Sequence, residues 1–334
     1  MAAALGVLAS CGSVKSGEDA IAASRDSKVV VAYVTSWSDV MPDPQCMTHI
    51  NYAFGHVNES FNGVKIDNEE RLKQIVDLKK QKPDLKVLLS IGGWGSGRFS
   101  EMAANDEYRR AFAVDCERVV EEFALDGIDI DWEYPTSSMA NISSSPDDTE
   151  NFTLLMQDIR AAIGNEKELT LATVASARYI DFKAILPSVD FVNIMAYDMA
   201  SAPKHHSALY PSGHSGDITS DGAVTAHLKA GVPPSKLVMG MPFYGRGGDG
   251  YPSFQDYNKV GNTDTQYTEK WDEVAQVPYL ADKNDTLVFG FENPRSLAIK
   301  CQYILDKDLL GGMYWDYSLS LIHISEPTRR TPIS

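Results

Sequence analysis

The amino-acid sequence predicts an α/β protein, a (β/α)8 TIM barrel with a short insertion after its seventh strand, and three observations carry that reading. Eight short apolar runs alternate with longer amphipathic segments between residues 28 and 318. Most of the runs are apolar along nearly their whole length, as parallel strands covered by helices are. The chain has 334 residues, 43% of them hydrophobic, which is ample for one barrel of about 250 residues. An open, doubly wound sheet is the rival arrangement for such alternation. No glycine fingerprint for a dinucleotide follows the first strand, so the barrel is preferred.

The strand candidates are residues 29–35, 49–55, 86–91, 127–133, 169–176, 191–197, 237–243 and 312–316. Residues 69–82 read as a helix, with Asp67 and Glu70 at the spacing of a capping box. Residues 107–124 repeat Phe112, Cys116, Val119, Val120 and Phe123 at the period of one helix face. Further helices are expected over 151–163, 221–230 and 294–309. Asn293-Pro294 suits an N-cap with proline at the first helical position, and Gly311 suits a C-terminal stop. Residues 246–290, rich in Gly, Asp, Asn and Tyr, form the longest stretch without clear periodicity. They are read as the insertion, lying over the C-terminal face where barrel enzymes hold their chemistry.

Both ends depart from this pattern. Residues 1–11, MAAALGVLASC, resemble the apolar end of a secretory signal, and Leu8-Ala9-Ser10-Cys11 resembles a bacterial lipobox. The expectation is a lipid anchor at Cys11, a polar tether over 12–27, and export to the bacterial periplasm, outer membrane or cell surface. The barrel domain follows over 28–318. Residues 319–334 continue no earlier pattern, and LSLIHISEPTR at 319–329 resembles a translated sequencing adapter, so this tail is expected to be non-native. An intact native gene encoding it would refute that. If Cys11 carries lipid, three of the four cysteines remain, an odd number that cannot all pair within one chain. Cys116 and Cys301 fall in helical segments and read as small buried hydrophobes. With 46 acidic and 30 basic residues the net charge is −16, which argues against nucleic acid or an anionic membrane surface as a partner. No internal stretch is long and apolar enough to span a bilayer.

The chemistry concentrates in Asp126-Gly127-Ile128-Asp129-Ile130-Asp131-Trp132-Glu133. On a strand Asp129, Asp131 and Glu133 share one face, and Ile128, Ile130 and Trp132 share the other. Ionised carboxylates at that spacing repel one another, so at least one is expected to hold a proton near neutral pH. General-acid cleavage of a glycosidic bond needs such a proton. Asp126 is out of phase and suits a structural hydrogen bond. His205, His206 and His214 lack the spacing of a metal site, and no metal or cofactor is expected.

Five motifs in order at successive strand ends resemble glycoside hydrolase family 18, the chitinases and their relatives. They are D-x-x-D-x-D-x-E at Asp126 to Glu133, S-x-G-G at Ser90 to Gly93 with Trp94 following, and M-x-Y-D at Met195 to Asp198. Pro242 to Arg246 and Met313 to Trp315 complete the set. The resemblance implies that Glu133 protonates the leaving oxygen while the substrate's own 2-acetamido carbonyl attacks the anomeric carbon, giving an oxazolinium ion and net retention. By the same resemblance Asp131 orients the acetamido N–H, Asp129 shares a proton with Asp131, and Tyr197 donates to the acetamido oxygen. Trp315 forms an apolar floor under the sugar. Tyr33, Phe54, Ser90, Trp94, Met195, Asp198, Tyr244 and Arg246 are candidate substrate-binding residues. The implied substrate is a polymer or oligomer of β-1,4-linked N-acetylglucosamine, acted on by a monomer. An endo-β-N-acetylglucosaminidase acting on N-glycans is the alternative substrate reading, and an inactive lectin-like chitin binder the alternative of another class.

Overall fold

The computed structural model describes residues 28–248 and 267–319. The signal-like segment with Cys11, the tether, the middle of the insertion and nearly all of the expected tail lie outside the described residues. Eight parallel strands form the barrel: Val29–Thr35, His49–Val57, Lys86–Gly92, Gly127–Asp131, Glu168–Val174, Phe191–Met195, Leu237–Pro242 and Gly311–Trp315. Each pairs with its neighbour in chain order. The first also pairs with the eighth, Val29 opposite Gly311, which closes the sheet on itself. A short strand, Val64–Ile66, adds antiparallel to the second.

The two faces of these strands divide the core. Ile128, Ile130, Leu169, Leu171 and Ile194 are fully buried against the surrounding helices, each contributing about 1.5–3 kcal/mol from removal of apolar surface from water. Val31, Tyr33, Phe191, Val238 and Met313 fill the barrel interior. That interior also holds Asn51, Ser90, Asp129, Thr170 and Asn193, all fully buried. Buried polar groups of this kind must find one another, and at Asp129 they do.

Helices cover the outside at Glu69–Val76, Asp106–Glu122, Asp148–Ile163, Ser220–Lys229 and Pro294–Asp306. Most follow the expected segments, with differences at the ends. The first starts from Asn68, whose side chain accepts from the Arg71 amide, so the cap sits one residue beyond Asp67. Asn293 caps the last helix together with Ser296. That helix ends at Asp306, so Gly311 is no helix stop. It opens the eighth strand, where a Cβ would lie 2.0 Å from the Val29 carbonyl oxygen. Cys116 is buried as expected, but Cys301 is exposed. Asp126 accepts from the Val87 amide at 2.7 Å, a structural role. The segment after the seventh strand is not irregular throughout. Thr268–Asp272, Val277–Ala281, Leu287–Gly290 and Arg246–Gly247 form a four-stranded antiparallel sheet in that order.

Candidate active site

The fourth barrel strand ends at Asp131, two residues earlier than the alternation suggests. Trp132 still turns outward, stacked on Phe99 with centroids 5.3 Å apart and edge-on to Phe152 at 5.8 Å. Glu133 therefore leaves the strand and stands at the C-terminal mouth, on the wall of a cleft of about 730 Å³. Tight backbone packing makes room below it. The Gly93 amide donates to the Asp131 carbonyl at 2.8 Å. A Cβ on Gly92 (φ 131°) would meet that carbonyl oxygen at 2.0 Å, and one on Gly93 (φ 92°) would strike the Phe54 ring at 2.7 Å. Only glycine satisfies both the backbone angle and the space.

Asp129 lies fully buried beneath the cleft. Its Oδ1 accepts from Thr170 Oγ1 (2.6 Å) and Asn193 Nδ2 (3.3 Å), and its Oδ2 from Tyr33 hydroxyl (2.8 Å) and Ser90 Oγ (2.8 Å). Ser90 thus acts under the cleft and does not line it. Burial pushes the Asp129 carboxyl up, and these four donors pull back toward the ionised form. No hydrogen bond joins Asp129 to Asp131 among the described residues; the two are linked through their charges, that of Asp129 raising Asp131. Asp131 is held well above the usual aspartate range by burial, then by the charges of Glu133 and Asp129. Its Oδ1 is buried without a hydrogen-bond partner among the described residues.

Burial raises Glu133 from 4.5 to about 7, with Asp198 adding to the rise and a hydrogen bond from Tyr134 opposing it. Asp198 behaves differently. Burial would raise it, but His206, Arg246 and the Tyr244 hydroxyl bring it below the ordinary value. Tyr244 donates to its Oδ1 at 2.8 Å, and Arg246 reaches Oδ1 through Nε at 2.8 Å and Oδ2 through Nη2 at 2.9 Å. The insertion sheet, whose edge carries Arg246, therefore fixes a charge beside the acid. Tyr197 lines the same cleft with its hydroxyl 3.7 Å from Met313 Sδ, and burial keeps it protonated and able to donate.

Trp315 stacks on Phe54 (5.7 Å, 20°) and leans on Tyr33 (5.7 Å). Of the sequence-predicted residues, Tyr33, Phe54, Trp94, Asp131, Glu133, Met195, Tyr197, Asp198, Tyr244, Arg246 and Trp315 line the cleft. Sequence reasoning missed Trp37, which is 64% exposed and 6.4 Å from Trp315. It also missed Tyr134, Met139, Arg178 and Tyr179. Trp37, Arg178 and Tyr179 lie within five residues past the end of a barrel strand, the position that signals function in this fold. Outside the cleft, buried Lys300 pairs with Glu292 and donates to the Ser207 carbonyl at 2.6 Å. This anchors the loop that carries His206.

Comparison with known proteins follows the same outline. The family profile described as "Glycosyl hydrolases family 18" matches residues 29–319. The chain is 30% identical to Chitinase A1 of Niallia circulans over 410 residues, covering 90% of this chain and 58% of that relative. It therefore spans little more than half of that relative's length. Against Chitotriosidase-1 of Mus musculus it is 31% identical over 341 residues, covering 86% and 72%. The solved structure of a glycoside hydrolase family 18 N-acetylglucosaminidase from Paenibacillus barengoltzii superposes with a TM-score of 0.80 at 33% identity, covering 89% of this chain and 97% of that one.

Proposed function

The chain belongs to glycosyl hydrolases family 18, and from that premise we propose that it is a retaining glycosidase hydrolysing β-1,4 bonds of chitin or chito-oligosaccharides, with the substrate's own acetamido group as nucleophile. One observation carries the mechanism: among the described carboxylates at the cleft, one is placed to donate a proton and none is free to attack. Asp129 is sealed beneath four donors, Asp131 is held toward its protonated form by burial and the neighbouring charges, and Asp198 is bound by Arg246 and Tyr244. A conventional retaining enzyme needs a second carboxylate as nucleophile.

The groups divide the work accordingly. Glu133, raised to about 7, keeps a proton for the leaving oxygen at neutral pH. The unpartnered Oδ1 of Asp131 accepts the acetamido N–H and aligns the carbonyl for attack on the anomeric carbon. Its charge stabilises the positive ring that forms. Tyr197 donates to the acetamido oxygen from the facing wall. Trp315 presents its ring to the C–H face of the sugar. Glu133 then takes a proton from water as the water opens the intermediate, and the configuration is retained. Asp129 acts from below: its charge favours a proton on Asp131 in the resting site, and that proton passes to Asp129 as Asp131 takes up the acetamide N–H, leaving Asp131 charged.

The names of Chitinase A1 and Chitotriosidase-1 support chitin over an N-glycan. The test is a product profile on fluorogenic chito-oligosaccharides of two to four sugars beside one high-mannose glycoprotein. Release from the chito-oligosaccharides alone is the expected result, and release from the glycoprotein alone would overturn the substrate assignment.

A further inference from the structure

We infer that Arg178 receives a carboxylate on the leaving-group side of the cleft, so that the enzyme favours β-1,4 glycans whose leaving sugar bears an acidic substituent. The inference rests on the proposed glycosidase reading, which sets the direction of the cleft. Two groups of aromatic rings line the cleft with the acids. Tyr33, Trp37 and Phe54 surround Trp315 on the side of the sugar that is attacked. In a separate group Trp94 meets Tyr134 edge-on at 6.4 Å, and Tyr134 stacks on Tyr179 at 5.5 Å and 15°. The second group begins one residue after Glu133, the acid that protonates the leaving oxygen, which assigns it to the leaving sugar.

Arg178 stands at its far edge. The guanidinium lies over the Tyr179 ring, 5.6 Å from its centroid. Its Nε donates to Ser176 Oγ at 2.9 Å, which fixes the plane and leaves both terminal nitrogens as donors. The backbone on either side is in the left-handed region, Ala177 at φ 56° and Tyr179 at φ 76°. Non-glycine residues take that conformation at a cost. Here it is held from outside, by Thr149 Oγ1 donating to the Tyr179 carbonyl at 2.9 Å.

The charge at this place is unbalanced. Arg178 and Arg246 are the basic side chains among the described residues lining the cleft, and Arg246 is engaged with Asp198. Arg178 has no carboxylate within ion-pair distance among the described residues. Arg178 is exposed at the cleft wall, and with no protein carboxylate beside it a ligand anion meets no internal competitor for the guanidinium. A planar guanidinium with two free terminal nitrogens matches a carboxylate in two-point contact.

The experiment compares chito-oligosaccharides whose leaving sugar carries either a 3-O-carboxymethyl ether or a C6 uronate, each beside its neutral carboxamide. The ratio of kcat/KM for acid over amide is the readout. The exposed position sets its size at about fivefold in favour of one acid, shrinking in molar salt as screening grows. Arg178→Gln should bring the ratio to about one, and Arg178→Lys should restore part of it. Equal rates for acid and amide in the native enzyme, or a preference that survives Arg178→Gln, overturn the inference and leave the glycosidase reading standing. Failure to cleave any of the four substrates or the unsubstituted oligomer would overturn both.

Discussion

Replacing Glu133 with Gln is expected to lower kcat by about 10³-fold or more while sugar binding persists, because the amide keeps the shape of the side chain and loses the proton the leaving oxygen needs. The same substitution reports on the protonation state directly. Burial raises Glu133 from 4.5 to about 7 in the folded protein. Below the unfolded value both states hold the proton and the group costs the fold nothing. As pH rises from 4.5 to about 7 the unfolded chain gives up its proton while the folded protein keeps it, so stability is lost across that window and stays lost above it. Gln has no such proton to lose. The variant should therefore gain thermal stability over the native protein at about pH 8, by up to about 3 kcal/mol, and the gain should fade at about pH 5. Near-native turnover would remove Glu133 from its role. An equal stability difference at both pH values would show that its carboxyl is not perturbed.

Asp131→Asn is the second large effect, a loss of about 10²-fold or more in kcat. The site has left Asp131 Oδ1 buried and unpartnered and has placed Asp129 behind it with both oxygens accepting from other residues. An Asn can still accept one hydrogen bond, but it carries no charge to set against the developing oxazolinium ion. The loss should fall on kcat more than on KM, since the charge matters chiefly when the ring becomes positive. Steady-state kinetics on a chitotetraose derivative would separate the two. An unchanged kcat would mean that the acetamide is not oriented from this residue.

Much of this was legible in the sequence because barrel strands declare themselves twice. Their near-continuous apolar runs fix where they are, and the residues just past their ends fix what faces the substrate. Ile128 and Ile130 against Asp129 and Asp131 gave both the strand and its inward face. What failed was local. The period-two pattern ran two residues too far at Glu133, because outward packing of Trp132 on Phe99 and Phe152 continues the alternation after the strand pairing has ended. The setting of Asp129 was not legible because its four donors come from four other strands, Tyr33, Ser90, Thr170 and Asn193, and no spacing along the chain announces them. The insertion strands are short, and Arg246 reaches Asp198 only through a sheet that closes across the sequence. Arg178 and Tyr179 went unread because a loop with no repeat gives no signal except its place after the fifth strand.

The account depends on the substrate's amide being the group that attacks. The most direct measurement is the rate of cleavage of a chito-oligosaccharide with the N-acetyl group removed from the sugar at the cleavage site, beside the intact oligomer. The account predicts that the deacetylated bond stays essentially uncut while the intact one is hydrolysed. Comparable rates for the two would contradict it.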